Sequence, residues 1–153
     1  MIGLFFGSFN PIHAGHLIIA RYMASFTGLT EVWLVVSPHN PLKTKSTLAN
    51  AYDRLEMARL ATENAANIRV SDIEFSLPQP SYTVDTLAYL TEKHPEKEFA
   101  LIMGADNLVS LKKWKNYEVL LYFDKFEFIL KNNDLTEACA ETARIVGDFL
   151  TAE

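Results

Sequence analysis

Three short runs of this chain are apolar without alternation: Ile2-Gly3-Leu4-Phe5-Phe6, Val32-Trp33-Leu34-Val35-Val36 and Phe99-Ala100-Leu101-Ile102-Met103. A strand with one face in water alternates apolar and polar residues, so runs like these belong to strands covered on both faces. Between them the apolar period turns helical. Leu17, Ile18, Ala20, Met23, Ala24 and Phe26 mark a helix over 15–26, Leu55, Met57, Ala58, Leu60 and Ala61 one over 50–65, and Val84, Leu87 and Leu90 one over 82–93. Strand and helix in alternation predict an α/β fold, a doubly wound, Rossmann-like parallel sheet with helices on both faces and right-handed crossovers. With further strands at 68–75 and 126–131, about five strands in the order 3-2-1-4-5 are expected. The first and fourth then meet at the switch point, where a ligand crevice opens.

The punctuation agrees with that layout. Gly28 is expected to end the first helix. Asn50 reads as the N-cap of the second, with Asp53 in its first turn, and His94-Pro95 stops the third. Pro38 and Pro41 keep 37–43 a loop. Short helices are expected at 105–111 and 117–121, and 134–150 reads as an amphipathic helix with Asp134 and Glu137 placed like a capping box. No repeat or linker divides the 153 residues, which are expected to form one domain.

Composition excludes several classes of function. No apolar run approaches the roughly 18 to 20 residues of a membrane helix. The N-terminus has no cationic lead-in of a signal peptide, and the single cysteine, Cys139, suits a reducing compartment, so a cytoplasmic protein is expected. A net charge of −5 argues against general nucleic-acid binding but leaves an anionic small molecule open. An oligomer is left open, since its state is not readable from the sequence.

The turn Gly7-Ser8-Phe9-Asn10-Pro11-Ile12-His13-Ala14-Gly15-His16 joins the first strand to the first helix. His13 and His16, three apart, share a face of a helical first turn. A metal pair is one reading, but no carboxylate or cysteine joins them at ligand spacing, and no metal site is assigned. Backbone capping is a second. The third is phosphate contact: two imidazole donors stand beside free helix N–H groups, and Gly7, Ser8, Ala14 and Gly15 are small enough for close approach.

This turn resembles the signature of the nucleotidylyltransferase superfamily, whose His-x-Gly-His element binds ATP phosphates. Ser37-Pro38-His39-Asn40-Pro41-Leu42-Lys43, Pro80-Ser81-Tyr82-Thr83-Val84-Asp85-Thr86-Leu87, and Met103-Gly104-Ala105-Asp106-Asn107-Leu108 followed by Trp114 are similar to stretches of bacterial nicotinate-nucleotide adenylyltransferases. The four come in that family's order across residues 1–130. The resemblance implies transfer of the adenylyl group of ATP to nicotinate mononucleotide, giving nicotinate adenine dinucleotide and pyrophosphate. It implies His16 and His13 as catalytic phosphate donors. ATP would meet Gly7, Ser8, Phe9, His13, Gly15, His16, Gly104 and Asp106, and the mononucleotide Lys43, Thr83 and Trp114. Mg²⁺ would be held mainly by the ATP phosphates.

Each implied role has a plainer competitor. Ser81 and Thr83 could simply cap the third helix, and Asp106 the next. Trp114, among Lys112, Lys113 and Lys115, could pack against the sheet edge. Lys43 could be a solvated surface lysine, and His39 has no assigned role.

The sequence also departs from the family. Ser8 and Asn10 stand where many members have threonine and aspartate, a mild change. After the last strand the family usually carries a segment resembling Ile-Ser-Ser-Thr-x-Ile-Arg that grips the triphosphate. Here Lys131-Asn132-Asn133-Asp134-Leu135-Thr136-Glu137 follows, and Arg144 is the one arginine of 131–153. A diverged or truncated C-terminal helix from about 134 is therefore expected. Two alternatives stay open: a nucleotide-binding protein of this fold with weak or lost catalysis, and a related transferase such as the phosphopantetheine enzyme. The 80–87 stretch and Trp114 argue against the latter.

Overall fold

The computed structural model describes residues 1–39, 48–104, 107, 110–121 and 129–130. Strands β1 (Ile2–Gly7), β2 (Glu31–Val36), β3 (Ile68–Ser71), β4 (Phe99–Gly104) and β5 (Ile129–Leu130) form a sheet in the order β3-β2-β1-β4-β5. Every pairing is parallel. Phe5 faces Leu34 on one side and Ile102 on the other, and the two-residue β5 sets Ile129 opposite Met103. The helices are α1 (Ala14–Phe26), α2 (Ala51–Thr62), α3 (Thr83–Lys93) and α4 (Tyr117–Leu121). None among the described residues is long and apolar enough to cross a membrane.

The continuous apolar runs are explained by two cores, one on each side of the sheet. Along β2, Trp33 and Val35 join Leu87 and Leu90 of α3 and Leu101 of β4. Their neighbours Val32, Leu34 and Val36 join Ala20 and Met23 of α1, Leu55 and Ala58 of α2, and Ile102. Alternate residues therefore serve opposite layers, which leaves no polar face.

The expected boundaries hold at β2 and at the start of α2, where Asn50 caps by accepting from the Tyr52 N–H at 2.9 Å. The first helix also ends at Phe26 as expected, but its cap is Thr27 and not Gly28: the Thr27 backbone turns extended and its hydroxyl donates to the Met23 carbonyl, while no glycine among the described residues has positive φ. Two boundaries differ. The second helix stops at Thr62 rather than at 65, where the Thr62 hydroxyl bonds back to the Ala58 carbonyl at 2.9 Å. The strand expected over 68–75 stops at Ser71. Phe75 N–H bonds the Asp72 carbonyl at 2.9 Å, and Ile73–Phe75 wind into a single 3₁₀ turn. Of the expected helix at 105–111, residues 107 and 110 are helical and Leu111 begins a 3₁₀ turn, Leu111–Lys113. The tail from 131, with Cys139 and Arg144, lies outside the described residues.

Candidate active site

At the C-terminal end of β1 a cavity of about 300 Å³ lies between the first residues of α3 and the Trp114 loop. It is lined by Gly7, Ser37, Glu74, Tyr82, Thr83 and Trp114, among others. This is the switch point, where β1 has β2 on one side and β4 on the other. The volume is at the low end of small-molecule sites and suits one aromatic ring with its substituent.

The histidine turn stands beside it. His13 is the extended N-cap of α1 rather than part of its first turn, and His16 is the third helical residue. Their rings stack, with centroids 3.8 Å apart and planes 32° from parallel. The His13 backbone N–H donates to His16 Nδ1 at 3.3 Å. A neutral imidazole that accepts at Nδ1 carries its proton at Nε2, so His16 presents Nε2–H as a donor. Phe9 stacks edge-on to the His16 ring at 5.1 Å.

The turn's glycines have a packing reason of their own. A Cβ on Gly7 would come within 2.9 Å of the Phe9 ring, and one on Gly15 within 3.1 Å of the His13 ring. Phe9 adopts φ 45° and is 2% exposed, so its side chain is committed to the core and only its backbone is available to a ligand. Ser8 is buried as well.

Arg54 of α2, which sequence reasoning passed over, holds the turn in place. Its side chain is fully buried and donates to the carbonyls of Ser8, Ser37 at 2.9 Å, Pro38 at 2.9 Å and Ala49 at 3.1 Å. One guanidinium thus joins the histidine turn, the end of β2 and the approach to α2. Burial lowers its pKa from the usual arginine value. The signal was an arginine beside Leu55 and four residues before Ala58, on the apolar face of α2.

The start of α3 forms the opposite wall. Its N-cap is Tyr82, which supplies no side-chain cap, and the Ser81 hydroxyl instead donates to Gln79 Oε1 at 3.1 Å. The capping that is the plainer reading of Ser81 is therefore not made, and the helix start keeps the positive end that favours an anion. Lys115 Nζ bonds both Asp85 oxygens, at 2.7 and 3.0 Å, and lies 4.8 Å from the Tyr82 ring centroid. This ties the Trp114 loop to the first turn of α3. Trp114 is half-buried against the α3-side core, as the packing alternative anticipates, yet it also lines the cavity. Its Nε1 is buried without a hydrogen-bond partner. His39 contributes its carbonyl to the Ser81 N–H at 3.3 Å.

Glu74 is the second residue that sequence reasoning missed. It sits in the 3₁₀ turn after β3 and is 1% exposed. The Thr86 hydroxyl donates to Oε1 at 2.9 Å, while Oε2 is buried with no hydrogen-bond partner. Burial raises the carboxyl above the usual range; nearby hydroxyls of Ser37, Thr86 and Ser81 pull the other way. Its only sequence signal was an acid between Ile73 and Phe75.

The structure therefore brings Gly7, Thr83 and Trp114 to one cavity, with His13, Gly15 and His16 at the adjoining turn and Gly104 at the end of β4. Lys43 and Asp106 lie outside the described residues. Among those described, no three His, Cys, Asp or Glu side chains gather as metal ligands.

The model of the cytidylyltransferase-like family matches residues 4–143. A Flavobacterium johnsoniae protein named as a probable nicotinate-nucleotide adenylyltransferase is 63% identical over 120 residues, 78% of this chain and 62% of that protein. A Porphyromonas gingivalis protein of the same name is 38% identical over 146 residues, covering 91% of this chain and 74% of its own length. The chain spans just under two thirds of the length of the Flavobacterium relative. The solved nicotinic acid mononucleotide adenylyltransferase of Plasmodium falciparum, complexed with NaAD, has the same fold. Its TM-score is 0.73 at 22% identity, over 99% of this chain and 84% of that one.

Proposed function

We infer the function from one premise: the chain belongs to the cytidylyltransferase-like family, and the relatives described above are named as probable nicotinate-nucleotide adenylyltransferases. The reaction we assign to it is transfer of the adenylyl group of ATP to nicotinate mononucleotide, a step of NAD biosynthesis. The observation that carries this assignment is the joining of two anion-friendly elements at one switch point. The His13–His16 turn offers donors for a triphosphate, and the uncapped start of α3 faces a ring-sized cavity beside Trp114.

In this reading ATP lays its phosphates on the turn, where His16 Nε2–H donates to a phosphate oxygen and His13 assists. Gly7, Ser8 and Phe9 contribute backbone, Gly15 lets His13 fold over the helix start, and Gly104 with Asp106 receives the adenosine. The pyridine ring of the mononucleotide enters the cavity against Trp114, its carboxylate directed at the Thr83 end of α3, with Lys43 near its phosphate. An oxygen of that phosphate attacks the α-phosphorus of ATP, the bond to the β-phosphate oxygen breaks, and pyrophosphate leaves. The attacking group is already ionised, so alignment and charge stabilisation carry the rate rather than a base. The imidazoles and N–H groups here are donors that complement phosphate oxygen and not metal ligands, and Mg²⁺ carried by the ATP would add neutralising charge on its phosphates.

The test is pyrophosphate release from ATP and nicotinate mononucleotide by the wild-type chain and by His16→Ala. Loss of one well-aligned donor lowers turnover about 10²- to 10³-fold. Near-normal turnover by the variant would overturn the role of His16. Binding without turnover by the wild type would favour a nucleotide-binding protein instead.

A further inference from the structure

Resting on that reading, we infer that Glu74 is a specificity-determining residue, which selects a ring carboxylate over a carboxamide by donating a hydrogen bond from Oε2. No ion pair to this carboxyl forms among the described residues. The cationic residues lining the cavity are Lys113 and Lys115, and Lys115 is taken by Asp85. Packed around it are hydroxyls: Ser37 after β2, Ser81 before α3 and Thr86 within α3, while the Gln79 amide donates to the Glu74 backbone carbonyl. Burial without a cation disfavours the charged form of this carboxyl and raises its pKa, against the pull of the Ser37, Thr86 and Ser81 hydroxyls, and the protonated form is the one inferred.

A neutral carboxyl has one proton to place. Oε1 accepts from the Thr86 hydroxyl, so the proton belongs on Oε2, which has no acceptor within the described residues. Trp114 Nε1–H, a donor only, is likewise buried and unpartnered in the lining of the same cavity. Two unpartnered polar groups, on residues that line one small chamber, thus lie beside an uncapped helix start. Buried donors without partners are rare in folded proteins and call for an explanation, and a ligand supplies one. A carboxylate, which only accepts, can satisfy such a chamber. A carboxamide brings an NH₂ that would face donors, and that mismatch costs binding.

The experiment compares Glu74→Gln, Glu74→Leu and the wild type with ATP and either nicotinate mononucleotide or its carboxamide counterpart, by kcat/KM and by calorimetric titration of each mononucleotide. Glutamine keeps both an acceptor and a donor and is expected to keep the acid-to-amide ratio within about threefold of wild type. Leucine removes the donor and is expected to lower that ratio about 10- to 100-fold, mainly through KM of the acid. If the leucine variant does not fold, Glu74→Asp, which draws the carboxyl back by one methylene, carries the same expectation. A ratio that rises, that stays constant while both substrates weaken alike, or that glutamine fails to preserve overturns the inference and leaves the proposed reaction standing. A wild-type chain that binds neither mononucleotide overturns both.

Discussion

Replacing Arg54 by methionine removes the side chain that joins three segments under the proposed triphosphate turn. Methionine matches much of the aliphatic stem, so the change isolates the guanidinium. Four carbonyls lose their donor: those of Ser8, Ser37, Pro38 and Ala49. Hydrogen bonds to a charged group contribute about 1.5–3 kcal/mol each, but these four share one desolvated cation, and its burial cost is recovered when it is removed. The net loss is therefore expected near 3–5 kcal/mol, the range for breaking a buried charged network, and not four times the single-bond figure. Urea unfolding measures it. At slopes of about 1–3 kcal/mol per molar, the midpoint should fall by roughly 1–5 M without a change in slope. KM for ATP should rise more than KM for the mononucleotide, because the Ser8 carbonyl belongs to the turn. Arg54→Lys, which keeps the charge but not the planar fork, should fall between wild type and methionine. A loss below about 1 kcal/mol together with an unchanged ATP KM would refute this account of Arg54.

Other residues give further tests. Gly7→Ala places a methyl against the Phe9 ring at 2.9 Å and should destabilise by about 1–3 kcal/mol, read as a lower thermal midpoint. Asp85→Ala breaks a half-exposed pair with Lys115. It should cost less than about 1 kcal/mol of stability while weakening mononucleotide binding through the freed Trp114 loop, measured by tryptophan quenching. Glu74 makes stability depend on pH in a definite direction. Its folded pKa is raised above the ordinary 4.5, so its contribution is fully present below that value and is lost as pH rises through the folded pKa. Glu74→Gln should remove that part of the decline, seen as a wild-type-minus-variant difference in unfolding free energy that falls as pH rises through the folded pKa and recovers as pH is lowered.

Much of the scaffold was legible because it rests on local periodicity. Glu31–Val36 read directly as a strand, since five consecutive apolar residues need two covered faces, and the structure gives them two. Asn50 read as a cap because its side chain bonds within its own helix start. Where a choice depended on contacts elsewhere, local pattern misled. Ile73-Glu74-Phe75 alternates like a strand, but Asp72 closes a 3₁₀ turn before it and bonds Arg59 of α2 at 3.0 Å. Gly28 looked like a helix terminator, yet Thr27 already satisfies the Met23 carbonyl.

The same division runs through the site. The sequence by itself determined that a strand feeds a Gly/Ser/Asn/Pro turn with two histidines, that the fold is parallel α/β, and that Thr83 and Trp114 belong with that turn in one family's pattern. Those are statements about neighbours in the chain or about resemblance. Tertiary structure decided that Arg54 and Glu74, ordinary charges on a helix and in an apparent strand, would be buried at the switch point. A side chain's charge is paid for or left open by partners distant in sequence: Ser8 is 46 residues from Arg54, and Thr86 is 12 from Glu74. Burial converts such partners from incidental contacts into requirements, because a polar group removed from water must find its hydrogen bond inside the fold or in a ligand.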